Sequence, residues 1–314
     1  MTEHTPAPEV ASVPRWWLAY AAERQLSSGL SAPDTYGQVL IRTVICVPLA
    51  LCASFRVNAL PQQPGYQAGW PCSGSVSPSY IQSSEATGGK VLLFKPTELA
   101  GVGDETSASM EHGETVVRAS GQLDSGVYDF EIPLDSTVES VYFFISFQCL
   151  QFVTIGQPSG DDLRIDAPEV DYHAFEAIRL FTIKAPRPGT WKVRMAGRGF
   201  FSVIVKAKTN LALTGVSFVQ DGVPVSGLAP LGKAVRLEAG LTGQPRQVGF
   251  HFISMRAAVL QTVEMALEQE GAMRRTYAAD VTLPTTEFRV LMTGIDADGI
   301  PFQRVTPQLF IAEQ

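Results

Sequence analysis

Hydrolysis through a nucleophile needs a serine or cysteine, a base beside it and a third group that orients the base. The chain offers four histidines and four cysteines for such a set. His112 stands between Glu111 and Glu114, His173 follows Asp171-Tyr172, and His251 lies in an alternating apolar run. None of them belongs to a catalytic motif, there is no Gly-x-Ser-x-Gly elbow, and each reads as a solvated or packed histidine. Zinc would require clustered Cys and His at defined spacing, and nucleotide binding a glycine-rich phosphate loop; neither pattern occurs. Asp296-Ala297-Asp298-Gly299 begins like a calcium loop, but its twelfth position is Pro307 where a glutamate is needed, so a hairpin turn is the better reading. Asp161-Asp162 reads as a solvated acidic turn. The expectation is no catalytic residue, no metal and no cofactor. What remains is binding chemistry. Tyr172, Phe200 and Tyr277 lie in or beside turns and are the candidate ligand-facing aromatics, able to stack on sugar rings; packing in the core or at its rim is the competing reading.

The elements that would carry such residues are strands. Apolar residues make up 45% of the 314 residues, enough to exclude disorder of the whole chain, and charged residues only 18%, below the roughly 25% usual in soluble domains. A net charge of −7 leaves no basic field to hold a phosphate backbone, so nucleic acid is not expected as a partner. From 113 onward, β-branched and aromatic runs dominate: Thr115–Ala119, Gly126–Ile132, Val138–Gln148 and Phe175–Ile183. The run Val141–Phe147 is almost continuously apolar, as for a strand covered on both faces. Trp191, Val193 and Met195 share one face, Gly197-Arg198-Gly199 is expected to turn the chain, and Phe201–Ala207 is expected to return as the second arm of a hairpin. Ala234–Leu241, Gln247–Ile253, Phe288–Thr293 and Gln303–Ile311 continue the pattern, with a hairpin turn at Ile295–Ile300. Met255–Gln269 favours helix by composition, but among so many strands it is read as strand-rich. Ahead of these, Tyr80–Ala86 is expected as a short helix, Thr87-Gly88-Gly89 as its stop and Lys90–Phe94 as a strand.

One twelve-residue apolar run, Val44–Phe55, follows Arg42 and precedes Val57-Asn58-Ala59. It is too short for a bilayer, which needs about 20 residues, so no stable membrane span is expected. A positive flank, a short apolar run and a small-residue exit resemble a secretory signal peptide cleaved after Ala59; the competing reading is a buried strand of a cytosolic protein. Cleavage would remove Cys46 and Cys52 and leave Cys72 and Cys149, which in an oxidising compartment form a disulfide or else stand as two buried thiols.

Several segments resemble the region that follows the von Willebrand factor A domain in hemicentins and related extracellular proteins. They are Ala86-Thr87-Gly88-Gly89-Lys90-Val91, Phe130-Glu131-Ile132-Pro133-Leu134-Asp135, Pro186-Arg187-Pro188-Gly189-Thr190-Trp191-Lys192-Val193, and Thr293–Asp296 with Phe302–Val305. The resemblance spans about residues 80–314 and implies a galactose-binding-like β-sandwich followed by an immunoglobulin-like one. The Asp-x-Ser-x-Ser metal loop of an A domain is absent; Asp104-Glu105-Thr106-Ser107-Ala108-Ser109 has Thr and Ala where serines are required.

The expected organisation is therefore an N-terminal extension with a signal peptide (1–59), a Pro/Gly/Ser-rich linker with an A-domain-like remnant (60–112), a galactose-binding-like β-sandwich (113–208) and an immunoglobulin-like β-sandwich (209–314). The fold class is all-β. The expected function is a secreted, periplasmic or cell-surface non-enzymatic protein that binds or adheres to an extracellular protein or carbohydrate. The alternatives are a glycan-active hydrolase or its accessory region, and a structural spacer in a cell-surface assembly. The sequence leaves the oligomeric state open.

Overall fold

The computed structural model describes residues 76, 78–93, 98, 101–102, 113–124, 126–225, 229–230, 234–271, 274–284 and 286–313, with a two-residue antiparallel pair, β1 (Val44–Ile45) and β2 (Ala53–Ser54). Apart from that pair, the predicted leader lies outside the described residues. One short helix, α1 (Pro78–Ala86), precedes a chain of strands.

The first module is built on β3 (Glu114–Leu123), β4 (Val127–Leu134), β5 (Ser140–Gly156), β6 (Val170–Ala174), β7 (Ile178–Lys184) and β8 (Gly189–Lys208). They form one antiparallel sheet in the order β3-β8-β5-β7-β6, with β4 also on β8. β3 pairs with the second half of β8 and β4 with the first half, so the two lie end to end along one edge. The pairing of β5 with β8 shifts register at Phe147/Cys149 and Leu150/Phe152, level with Gly197–Gly199 of β8 and with the 124–126 break between β3 and β4. Three strands thus bend along one line. Side chains from both halves meet in a single core: Phe130 and Ile132, Phe143 and Phe147, Trp191 and Met195, Phe201 and Val205. The sheet folds over this core and makes both layers of a sandwich from one piece.

The expected hairpin at 197–199 does not form; Trp191–Met195 and Phe201–Ala207 are halves of one 20-residue strand. Odd-numbered positions face the core on both sides of the glycines, as one uninterrupted strand requires. Gly197 is needed for the bend rather than for a reversal. A Cβ there would sit 2.4 Å from the Cys149 carbonyl oxygen and 2.8 Å from the Phe147 ring.

The other face of the upper half-sheet is also covered, which explains the unbroken apolar run of β5. Tyr142, Phe144, Leu180 and Ile204 pack with Leu92 and Val102, while Phe200 and Ala177 pack with Val76, Ile81, Val91 and Leu93. Of the expected strand at Lys90–Phe94, the described residues 90–93 join no ladder. Their burial serves as a lining, with Leu92 entering one cluster and Val91 and Leu93 the other. Each large apolar side chain so buried is worth about 1.5–3 kcal/mol.

The second module has two sheets. One runs β10 (Val223–Pro224), β9 (Leu213–Gln220), β12 (Ala234–Thr242), β16 (Arg274–Thr282), β15 (Ala266–Glu270); the other runs β14 (Val259–Val263), β13 (Gln247–Ile253), β17 (Arg289–Ile295), β18 (Pro301–Val305). β11 (Ala229–Pro230) pairs in parallel with β19 (Ala312–Glu313). The order β9-β12-β16-β15 facing β14-β13-β17-β18 is the immunoglobulin-type arrangement. Between the sheets lie Phe218, Leu237, Phe250, Phe252, Tyr277 and Phe288. Met255–Gln269 holds β14 and all but the last residue of β15, as its surroundings rather than its composition indicated.

Two buried ionic clusters fasten the modules to each other. Glu85 of α1 accepts from Arg118 Nε of β3 at 2.8 Å, from Ser120 Oγ at 2.9 Å, and from Arg289 Nη2 of β17. Arg118 also donates to the carbonyls of Gly88, at 2.9 Å, and Gly89, fixing the end of the helix. Burial pulls Arg289 down to about 10, against the opposing pull of Glu85. In the second cluster Arg304 of β18 donates to Asp135 at the end of β4, to Thr209 Oγ1 at 3.0 Å and to the Leu211 carbonyl at 2.7 Å. Burial alone would raise Asp135, but Arg304 and the Thr137 hydroxyl outweigh it and hold the carboxyl below its ordinary value. Such clusters are costly to desolvate but penalise any separation that would leave one charge unpaired.

Candidate functional site

The turn between β13 and β14, residues 254–258, seats its tip at the break between β3 and β4. Ser120 N–H donates to the Met255 carbonyl at 2.9 Å, Tyr128 Oη to the Arg256 carbonyl at 3.2 Å, and Arg256 Nη2 to the Gln122 carbonyl. The turn closes on itself through Ser254 N–H to the Ala258 carbonyl, 2.8 Å, and Ala257 N–H to the Ser254 carbonyl, 2.9 Å. Ala257 takes φ +63°, a left-handed conformation uncommon for alanine. Such outliers persist where surrounding contacts hold them, and they gather at functional sites.

A cavity opens on each side of Arg256, both between the modules. One, of about 290 Å³, is lined by Val116, Tyr128, Phe130, Ile253, Ala257 and Gln303 among others. The second, of about 320 Å³, is lined by Ile81, Gly121, Phe200, Ser254, Met255 and Arg256. Both sit near the lower size limit of ligand pockets, ~300 Å³, and module junctions are a preferred place for them.

Asp129 and Glu131 border the first cavity, but their carboxylates are claimed elsewhere. Arg194 donates to Asp129 through Nε, 2.9 Å, and Nη2, 3.2 Å, and Lys192 Nζ lies 3.6 Å from Glu131. The hydrogen bond from Arg194 holds Asp129 below the ordinary carboxylate range. Arg256 is exposed, and among the described residues no carboxylate lies within ion-pair distance of it.

The aromatics expected to face a ligand are placed differently. Phe200 is 0% exposed in the cluster beneath α1, and Tyr277 is 9% exposed in the second core, 5.4 Å from Phe250. Both sit on strand positions whose side chains point inward, so neither presents a ring to solvent. Tyr172 is half-buried on β6, its ring 4.7 Å from Phe181. The three are not brought together. Cys149 is disulfide-bonded; Cys72, like His112, lies outside the described residues.

His173 contacts Asp171 at 3.0 Å on β6, and His251 bridges Thr262 and Thr293 at 3.2 and 3.0 Å, with burial lowering its pKa. Asp296 is enclosed, accepting from the N–H groups of Ser136, Asp298 and Ile300 at 2.8–2.9 Å, so it braces a turn against the first module. Among the described residues no group of three His, Cys, Asp or Glu could hold a metal, and no helix is long and apolar enough to cross a membrane. Arg256 and Tyr128 had no signature in the sequence, because they meet only when two modules dock.

No protein-family model and no curated protein matches the chain. Among solved structures it is similar to the propeptide form of the lipase BlEst2 of Bacillus licheniformis, at 14% identity and TM-score 0.29, over 63% of this chain and 41% of that one. It is also similar to a beta-glucuronidase of Bifidobacterium dentium complexed with coumarin-3-O-glucuronide, at 8% identity and TM-score 0.21, over 57% of this chain and 38% of that one. The chain spans about two fifths of the length of these proteins, and likeness of this size carries no argument about activity.

Proposed function

We propose that the protein is a non-enzymatic, extracellular binding or adhesion protein that recognises a protein or carbohydrate through the groove between its two β modules. The observation that carries this reading is the groove around Arg256: two cavities with walls fixed by hydrogen bonds from both modules and an arginine that no carboxylate engages among the described residues. The disulfide at Cys149 and the leader-like segment at 44–59 support an oxidising compartment; Cys72 is proposed as the disulfide partner. The immunoglobulin-type strand order of the second module accords with the hemicentin-like reading of the sequence.

The test is binding of the full chain, produced in an oxidising compartment, to glycan and extracellular-matrix protein arrays. Saturable binding that Ala258→Trp abolishes without lowering the melting temperature is expected, since Ala258 is exposed at the rim of the groove. Absence of saturable binding, or turnover of a glycan or ester panel, would overturn the reading. N-terminal sequencing of exported protein tests its location, where an intact residue 1 counts against a cleaved leader.

A further inference from the structure

β6 is an edge strand, at the opposite end of its sheet from β3 and β4, whose residues line the groove. An open edge invites a further strand, and proteins blunt such edges with bulges, prolines, lysines or cover from another element. Several other edges of this chain carry such devices. β14 and β15 shift register in mid-strand, β10 ends in Pro224, and β18 lies against β3 and β4. β6 pairs with β7 without a shift and contains neither proline nor lysine. The direction of its backbone groups follows from the bonds at its two ends. Lys184 N–H donates to the Glu169 carbonyl at 3.0 Å, and Phe175 N–H donates to the Ile178 carbonyl at 2.9 Å. Bonded and non-bonded pairs alternate along an antiparallel ladder. Asp171 and His173 therefore bond to β7, while Val170, Tyr172 and Ala174 turn their N–H and C=O groups to the free edge. Val170 N–H is used locally, on the Ala167 carbonyl at 3.0 Å. Among the described residues, the outward groups of Tyr172 and Ala174 and the Val170 carbonyl meet no partner.

This edge is complementary to itself. With a second copy antiparallel and a two-fold axis beside Tyr172, the two Tyr172 residues exchange a pair of backbone hydrogen bonds. Each Ala174 N–H then donates to the Val170 carbonyl of the second copy, and the Val170 N–H that is already spent is not needed. The same register sets Asp171 directly opposite His173 of the second copy, and the axis repeats that contact. These are the non-bonded pairs of the new ladder, where cross-strand side chains come closest. Both side chains reach solvent, at 63% and 36% exposure, and within one copy they touch at 3.0 Å. No like charges are brought opposite each other, since Glu169 meets Phe175. A surface that fits its own copy in this way is what a closed two-fold dimer requires.

We propose that β6 is a self-association edge: two copies of the chain pair antiparallel through Val170–Ala174 about a two-fold axis at Tyr172, joining their first modules into one continuous sheet. The proposal does not depend on what the groove binds.

Sedimentation equilibrium of the full chain tests this. One strand pair makes a small interface, so monomer should prevail at about 5 µM and dimer at about 500 µM. Asp171→Lys and His173→Asp should each weaken the dimer about tenfold or more, because the axis turns each reversal into two mismatched contacts. Combining the two substitutions sets opposite charges face to face again and should restore the affinity. Ala174→Pro removes one outward N–H from each copy and should also give monomer, proline being tolerated where an edge N–H faces solvent. The positions are exposed or half-buried, so all variants should keep the melting temperature of the unaltered protein. A chain still monomeric at the highest concentration overturns the proposal. So does a dimer indifferent to a charge reversal or to Ala174→Pro, or a double variant that associates no better than the single ones. Should a charge variant not fold, the concentration series and Ala174→Pro decide.

Discussion

Replacing Glu85 by Gln preserves the volume and most of the hydrogen-bonding shape of the side chain while deleting its charge. In the intact protein this carboxylate is 1% exposed and faces two guanidinium groups, Arg118 at 3% and Arg289 at 0% exposure. Arg118 retains the Gly88 and Gly89 carbonyls after the change. Arg289 does not have that reserve: its Nε and Nη1 have no hydrogen-bond partner, so among the described residues Glu85 is the carboxylate bonded to it, with Glu287 acting only through its charge. Breaking a buried pair by removing one partner costs about 3–5 kcal/mol. For a folded body of this size each kcal/mol lowers the melting temperature by ~2–4 °C, so Glu85→Gln should melt about 10 °C lower. Because Arg118 belongs to the first module and Arg289 to the second, urea unfolding should also lose cooperativity and begin to separate into two transitions. Gln82→Ala, one turn earlier on the same helix with an exposed bond to Glu287 at 3.0 Å, is the control and should change stability by less than about 0.5 kcal/mol. A Glu85→Gln loss under about 1 kcal/mol, with a single unchanged transition, would refute the view that this cluster fastens the modules.

Gly197→Val should prevent accumulation of folded protein or cost at least about 3 kcal/mol by thermal melting, since the Cys149 carbonyl 2.4 Å from the new Cβ belongs to backbone that cannot step aside. Asp135 has a folded pKa below its unfolded value near 3.9; its contribution is therefore fully present above that value and is lost as pH falls through the folded pKa. Denaturation followed from pH 7 to 2 should show Asp135→Asn less stable at neutral pH and with a shallower acid decline than the unaltered protein. Cys149→Ala should lower stability by about 2–4 kcal/mol, and peptide mapping without reductant should recover Cys149 joined to Cys72.

Much of the strand pattern was legible because period-2 alternation records which face is buried. Gln247–Ile253 was read to its ends, and the unbroken apolar stretch of β5 correctly signalled cover on both faces. The hairpin at 197–199 was misread for a physical reason. Glycines serve turns and bends alike, and only the register against β5 shows that the chain continues forward. Residues 91–93 look like a strand because burial selects the same side chains whether or not a ladder forms. The candidate site was not legible. Phe200 and Tyr277 are near turns in sequence yet point inward, while Arg256 acquires its setting from Gly121, Gln122 and Tyr128, more than 120 residues away in the chain. A contact between docked modules leaves no periodic trace in either one.

The measurement that tests the account most directly is a set of backbone residual dipolar couplings collected across both modules in one aligned sample. Residues 114–208 and 213–305 should fit a single alignment tensor, because Glu85, Asp135 and the turn at Arg256 join them as one body around the groove. Two tensors of different magnitude or direction would mean that the modules move independently, and a groove with walls that do not hold still could not be the binding site described.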